Sequence, residues 1–247
     1  LELTVHGRCD IHAVLGVMPD ARTDTEKSYK PEEMVIDTGL DAERVKELIA
    51  VGDAVTLPQS VGRLGKHRMS AKTMDDRASV AALISVMKRL KDEKLRCDVY
   101  VAAAVQEEVG CRGGKTSAYG IMPDLAIAVD VTHGITPDNE RNAFELGHGT
   151  VITLGPNLHP RLTDRLLETG RAKGIKHSID VDGGCTGTDA WEIQVAGGGV
   201  PTALLSIPLR YMHTSVETLD LRDVKATVSL MSEFIKGLES DLAWMSL

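Results

Sequence analysis

Three stretches of this chain are mostly apolar and of strand length. They read CDVYVAAAV (97–105), DLAIAVDVT (124–132) and PTALLSIPL (201–209). A strand with one solvated face alternates apolar and polar residues, whereas an uninterrupted apolar run needs cover on both faces. Helices supply that cover, and the intervening sequence has the helical period. Val224, Val228, Met231, Ile235 and Leu238 recur at intervals of three and four residues, an amphipathic closing helix. Segments 78–91, 161–173 and 188–195 read as further helices, and GTVITLG (149–155) and HSIDV (177–181) as further strands. The expected fold class is α/β, a mixed central sheet flanked by helices.

Residues 1–71 keep a different rhythm. LELTVHG, IHAVLGVMP, EMVIDTGL and DAVTLPQSVGRLG are short β-like runs broken by turns. They suggest a small β-barrel or sandwich. One helix over 41–49 interrupts them, with Asp41 as its cap and Val45, Leu48 and Ile49 as its apolar side. DARTDTEKSYKPEE (20–33) reads as an exposed polar loop. The expected organisation is a β-rich unit over 1–71 and an α/β unit over 72–247.

Charge and composition narrow the partners. A net charge of −8, with no run of basic residues, gains little from a polyanion, and 3% aromatics offer few stacking platforms. Nucleic acid is therefore not expected. No apolar stretch reaches membrane-spanning length, so no membrane partner is expected. Four cysteines at 9, 97, 111 and 185 fit neither a CxxC pair nor a disulfide framework. They read as reduced thiols in a cytoplasmic protein.

In a sheet of this kind ligands gather beyond the carboxyl ends of the strands. Glu107 and Glu108 follow the 97–105 run, Asp130 lies near the end of 124–132, and His213 follows 201–209. Asp75 and Asp76 stand just before the 78–91 helix. One histidine and several carboxylates from separate strand ends make a metal-site constellation. Each residue also has a structural explanation. Asp75 and Asp76 can cap a helix, Asp130 can end its strand in a turn, and a lone histidine is usually satisfied locally. The pair Glu107–Glu108 is harder to explain that way. Two adjacent like charges after a buried strand repel, and something positive must offset them: Arg112, Lys115 or a divalent cation.

TMDDRASVAALI (73–84), VQEEVGCRGGKTSAY (105–119), PDLAIAVDVT (123–132) and VPTALLSIPLRYMHTSVETLDLRDV (200–224) resemble the co-catalytic metallo-aminopeptidases of the deblocking and glutamyl aminopeptidase type. These are the tetrahedral aminopeptidases, some of whose members carry cellulase labels. The resemblance implies a zinc-peptidase-like catalytic domain with an inserted small β-barrel-like domain of dimerisation type. It implies two divalent ions, zinc or alternatively cobalt or manganese. Asp75 would bridge them and be followed by a cis peptide bond to Asp76. Glu108 and His213 would hold one ion with Asp75, and Asp130 the other. Glu107 would be the general base acting on a metal-bridged water. The substrates would be peptides cut at the N-terminus, and the assembly a homo-oligomer built from dimers, up to a dodecamer. DGGCTGTDAW (182–191) is similar to the family's glycine-threonine-aspartate loop, with Cys185 and Thr186 as departures; Thr188 or Asp189 capping the next helix explains it equally well. Cys111 reads as a small packed residue, and the histidines other than His213 as structural or exposed.

One departure matters. The family supplies its second ion with a histidine from a His-x-Asp motif on an early strand, and no His-x-Asp occurs here. The segment lies outside this sequence, the sequence is a fragment, or the protein lacks the residue. In the last case one metal position keeps Asp75, Glu108 and His213, while the other keeps Asp75 and Asp130 and binds weakly. The missing strand would also leave an apolar sheet face or edge exposed. Two other functions stay open. Glycoside hydrolysis needs two carboxylates flanking a sugar, and its sites often carry aromatic surfaces. An inactive assembly protein would follow from the absent histidine.

Overall fold

The computed structural model describes residues 1–17, 30–58 and 61–246. Most of the 20–33 segment read as an exposed loop lies outside the described residues; Pro31–Glu33 form a short 3₁₀ turn. The chain divides into two compact units, Leu1–Ser60 and Val61–Leu247. No helix among the described residues is long and apolar enough to cross a membrane.

The first unit holds an antiparallel sheet of β1 (Glu2–His6), β2 (Asp10–Val17), β3 (Met34–Asp37) and β4 (Ala54–Thr56), in the order β3-β2-β1-β4. Alternation along β1 puts Leu3 and Val5 on the covered face, where they pack with Ala13, Ile11 and Leu15. Helix α1 (Ala42–Leu48) starts where Asp41 accepts the Arg44 N–H at 2.8 Å, as its sequence suggests. Met34, Val35, Ile36 and Val14 remain exposed.

The second unit is built on a mixed seven-stranded sheet. Its strands are β5 (Gly62–Leu64), β6 (Arg68–Ala71), β7 (Ala126–His133), β8 (Thr150–Leu154), β9 (His177–Val181), β10 (Thr202–Arg210) and β11 (Glu217–Asp220). Strand β10 is the axis. It runs parallel to β7 over Thr202–Leu209 and antiparallel to β8 and β11 along its other side. Eight of its nine residues are buried, because helices cover both faces. Ala203 and Leu205 meet α2 (Met74–Leu90), α4 (Pro160–Ala172) and α6 (Leu221–Lys236), while Leu204 packs on the opposite side against Ala190 of α5 (Asp189–Ile193). The unbroken apolar run at 201–209 thus reports burial on two faces.

Two expectations differ from the structure. Residues 62–71 do not stay with the β-rich unit. β6 pairs antiparallel with β11, Ala71 opposite Glu217, so ladder bonds draw the segment into the second sheet. The 97–105 run joins no ladder among the described residues, and Tyr100, Val101 and Val105 are exposed. Only β10 pairs with β7 among the described strands, so the other edge of β7 lies open. A cavity of about 480 Å³ is lined by Val99, Val101 and Ala102 of this run and by Ala126, Ile127 and Val129 of β7. Apolar composition registers a tendency to be buried, but a strand also requires a neighbour for its backbone groups.

Candidate metal centre

The N-terminal turn of α2 is irregular. Thr73 lies in the left-handed region at φ 54°, and Asp75 and Asp76 have non-helical backbone angles. The peptide bond between Asp75 and Asp76 is cis. The two aspartates then diverge in role. Asp76 Oδ1 accepts the Ser79 N–H at 3.1 Å and caps the regular part of the helix. Asp75 Oδ2 lies 3.1 Å from His213 Nε2 instead.

Glu107 and Glu108 sit on a 3₁₀ turn (Glu107–Val109) bounded by Gln106 and Gly110, both at positive φ. Helix α3 (Arg112–Ile121) follows directly, and its Gly113 and Gly114 leave room for neighbouring atoms. A Cβ on Gly114 would overlap the Asp189 carboxylate. The turn sends the paired acids to different neighbours. Glu108 Oε2 reaches His213 Nε2 at 3.3 Å, and Glu107 Oε1 accepts from the Cys111 thiol at 3.3 Å. Burial and that bond push the Cys111 thiol up to about 12.

One ligand atom from each of Asp75, Glu108 and His213 lies within 4.8 Å of the others, a spacing that suits one divalent cation. Asp130, on β7, is outside this trio. Its buried carboxylate accepts the Val131 N–H at 2.8 Å and lines a cavity of about 230 Å³ with Asp75, Asp76, Glu107, Glu108 and Asp189. Lys115 pairs with Glu192 at 2.7 Å, and among the described residues no ion pair joins Arg112 to either glutamate. Burial, reinforced by neighbouring acids, raises Asp75 to about 6, Asp76 to about 8 and Asp130 to about 9. Asp189 is also raised by burial, and its Oδ1 is enclosed without a hydrogen-bond partner. Crowded acids, an unsatisfied carboxylate oxygen and a mixed oxygen–nitrogen donor set fit divalent metal.

A pH dependence follows for the metal-free protein. Asp75, Asp76 and Asp130 hold their protons more tightly folded than at the ordinary 3.8. That contribution to stability is fully present below about pH 4 and is lost as pH rises through 6 to 9. Chelated protein should therefore melt lower at pH 8 than at pH 6, and added divalent metal should reduce the difference. Calorimetry at the two pH values checks this; equal melting of chelated protein at both would count against the buried-acid description.

The remaining sequence features fall into place locally. Thr188 accepts the Ala190 N–H and caps α5, leaving Asp189 to line the cavity. His6 bonds Asp10 and Thr56, His159 caps α4, and His177 bonds the Ile175 carbonyl. Sequence reasoning gave no role to Glu217. Its carboxylate accepts the Asp75 N–H at 3.0 Å and the His213 N–H at 2.8 Å. An acid four residues after His213, inside a strand that is otherwise buried, was the available signal.

The chain is similar to known proteins over most of its length. The sequence profile of M42 glutamyl aminopeptidases matches residues 2–230. A lysyl aminopeptidase of Pyrococcus furiosus is 33% identical over 235 residues, 92% of this chain and 67% of its own. The structure of an aminopeptidase from Desulfurococcus kamchatkensis superimposes with a TM-score of 0.88 at 35% identity, over 99% of this chain and 70% of that one. A Pyrococcus horikoshii TET1 peptidase, described as assembling into a tetrahedron or a large octahedral shell, gives 0.81 at 31% identity, over 96% and 72%. This chain thus spans about two thirds of the length of these relatives. It belongs to the M42 glutamyl aminopeptidase family.

Proposed function

We propose that this protein removes N-terminal residues from peptides with the help of divalent metal. The observation that carries the reading is the convergence of Asp75, Glu108 and His213 from three distant parts of the sequence. In this reading these three residues hold one cation, and Asp75 with Asp130 contributes to a second position. Zinc, cobalt and manganese all suit the donor types. A bound divalent ion supplies Lewis acidity and brings the pKa of water toward neutrality.

The chain's own residues do the rest. Glu107 stands outside the donor trio while lining the same cavity, and it serves as general base, taking a proton from water and returning it to the leaving amine. The surplus of carboxylates favours a substrate that brings a free α-ammonium group, which accounts for action at an N-terminus. The first unit exposes apolar residues on both faces of its sheet, Val14 and Val35 on one and Met34 and Ile36 on the other, which supports a homo-oligomer built through this unit. The TET1 relative's shells point the same way. Glycoside hydrolysis has no comparable support, because the matching family profile and the relatives described above are aminopeptidases.

Purified protein should cleave a chromogenic aminoacyl amide, lose the activity on chelation, and regain it with zinc, cobalt or manganese. The N-acetylated form of the same substrate should be inert. Activity that survives exhaustive chelation would contradict the proposal.

A further inference from the structure

We infer that Glu217 is a positioning residue that sets the distance between two of the proposed metal ligands. The inference rests on the metal reading above and extends it to a residue that touches neither cation nor substrate.

Glu217 opens β11 and is only 2% exposed. A carboxylate that deep is costly unless its oxygens are satisfied. Each oxygen is satisfied separately. Oε2 accepts the Asp75 N–H at 3.0 Å, and Oε1 accepts the His213 N–H at 2.8 Å. Both bonds come from backbone N–H groups. They tie together residues 142 positions apart on one side and four on the other.

Both tethered residues need a tether. His213 is not glycine yet sits at φ 61°, with Tyr211 at 59° two residues before it. Such backbone is sparsely populated and persists where surroundings over-determine it. Asp75 lies in the irregular first turn of α2, where its N–H has no helical partner. One rigid, buried acceptor therefore fixes two otherwise loosely specified segments, and the side chains above them meet at 3.1 Å. Strand β11 is anchored in turn by β6 and β10, which makes the clamp part of the sheet.

Glu217→Gln keeps shape but loses one acceptor, so its amide N–H₂ must face the N–H of Asp75 or of His213. The measurement is cobalt affinity by competition with a chromogenic chelator, together with the visible absorption of bound cobalt, which reports ligand geometry. Leu166→Ala in α4, a fully buried site away from the acids, provides a destabilised control. Glu217→Gln should weaken cobalt binding by roughly 10–100-fold, the usual effect of losing an outer-shell partner, and should alter the spectrum. The control should change neither. Should the Gln variant not fold, Glu217→Asp keeps charge and both acceptors but shortens their reach, and the same losses are expected. Unaltered affinity and spectrum in these variants would overturn the inference, as would an equal loss in Leu166→Ala. Failure of the unsubstituted protein to bind cobalt would instead sink the metal reading on which it rests.

Discussion

Glu107→Gln should lower turnover of an aminoacyl amide by roughly 10²–10⁴-fold while leaving metal content unchanged, the effect expected for loss of a general base. The reason is the division of labour between two adjacent acids. Glu108 joins Asp75 and His213 within 4.8 Å; Glu107 does not belong to that group. The 3₁₀ turn aims Glu107 into the acid-lined cavity, where the Cys111 thiol holds one of its oxygens. That bond leaves the second oxygen for water. Glutamine matches the shape and still accepts from the thiol, but it cannot take up a proton. The variant should fold normally and retain its metal. Single-turnover rates and metal analysis on the same sample decide the matter. Near-normal turnover would remove Glu107 from the base role, and a loss of metal would recast it as a ligand.

How much of this was visible in the sequence depends on what each residue does. Strand β10 was legible because burial on both faces leaves an unbroken apolar run, and α6 because its apolar period is helical. Asp75, Glu108, Asp130 and His213 could be gathered as candidates because each stands where a strand or helix begins or ends. Their grouping came from the family resemblance, which joins Asp75, Glu108 and His213 and sets Asp130 apart, and not from the residues themselves. Asp130 shares the cavity but falls outside the trio, a distinction set by β7 and not by any local motif. The 97–105 run shows the opposite limit. Its residues suit a buried strand, yet pairing belongs to the neighbour as much as to the segment, and no described strand pairs with it. Glu217 escaped because its role lies in two backbone N–H groups. Backbone donors are the same for every residue type but proline and leave no mark in composition. The pairing of β6 with β11 escaped for a related reason: four-residue strands carry too few side chains to announce a partner.

His213→Ala should remove metal and activity together, with an affinity loss exceeding the roughly 10–100-fold expected of an outer-shell change. The imidazole is the sole nitrogen donor of the trio, lying 3.1 Å from Asp75 and 3.3 Å from Glu108. Its loss does more than delete one bond. Burial and the charges of Glu108 and Glu217 already raise Asp75 to about 6, and His213 is the neighbour that opposes them. Without it Asp75 should hold its proton to still higher pH, and a protonated carboxyl competes poorly for a cation. The deficit should therefore be larger at pH 6 than at pH 8. The ring is largely exposed, so the fold should tolerate its truncation far better than the metal does. His148→Ala is the matching control, because that histidine is also exposed and faces Glu145 at the surface. Titration of both variants with zinc, by calorimetry at the two pH values, separates the outcomes. Zinc uptake by His213→Ala equal to that of His148→Ala would exclude His213 from the ligand set and leave two acids too few to define a catalytic cation.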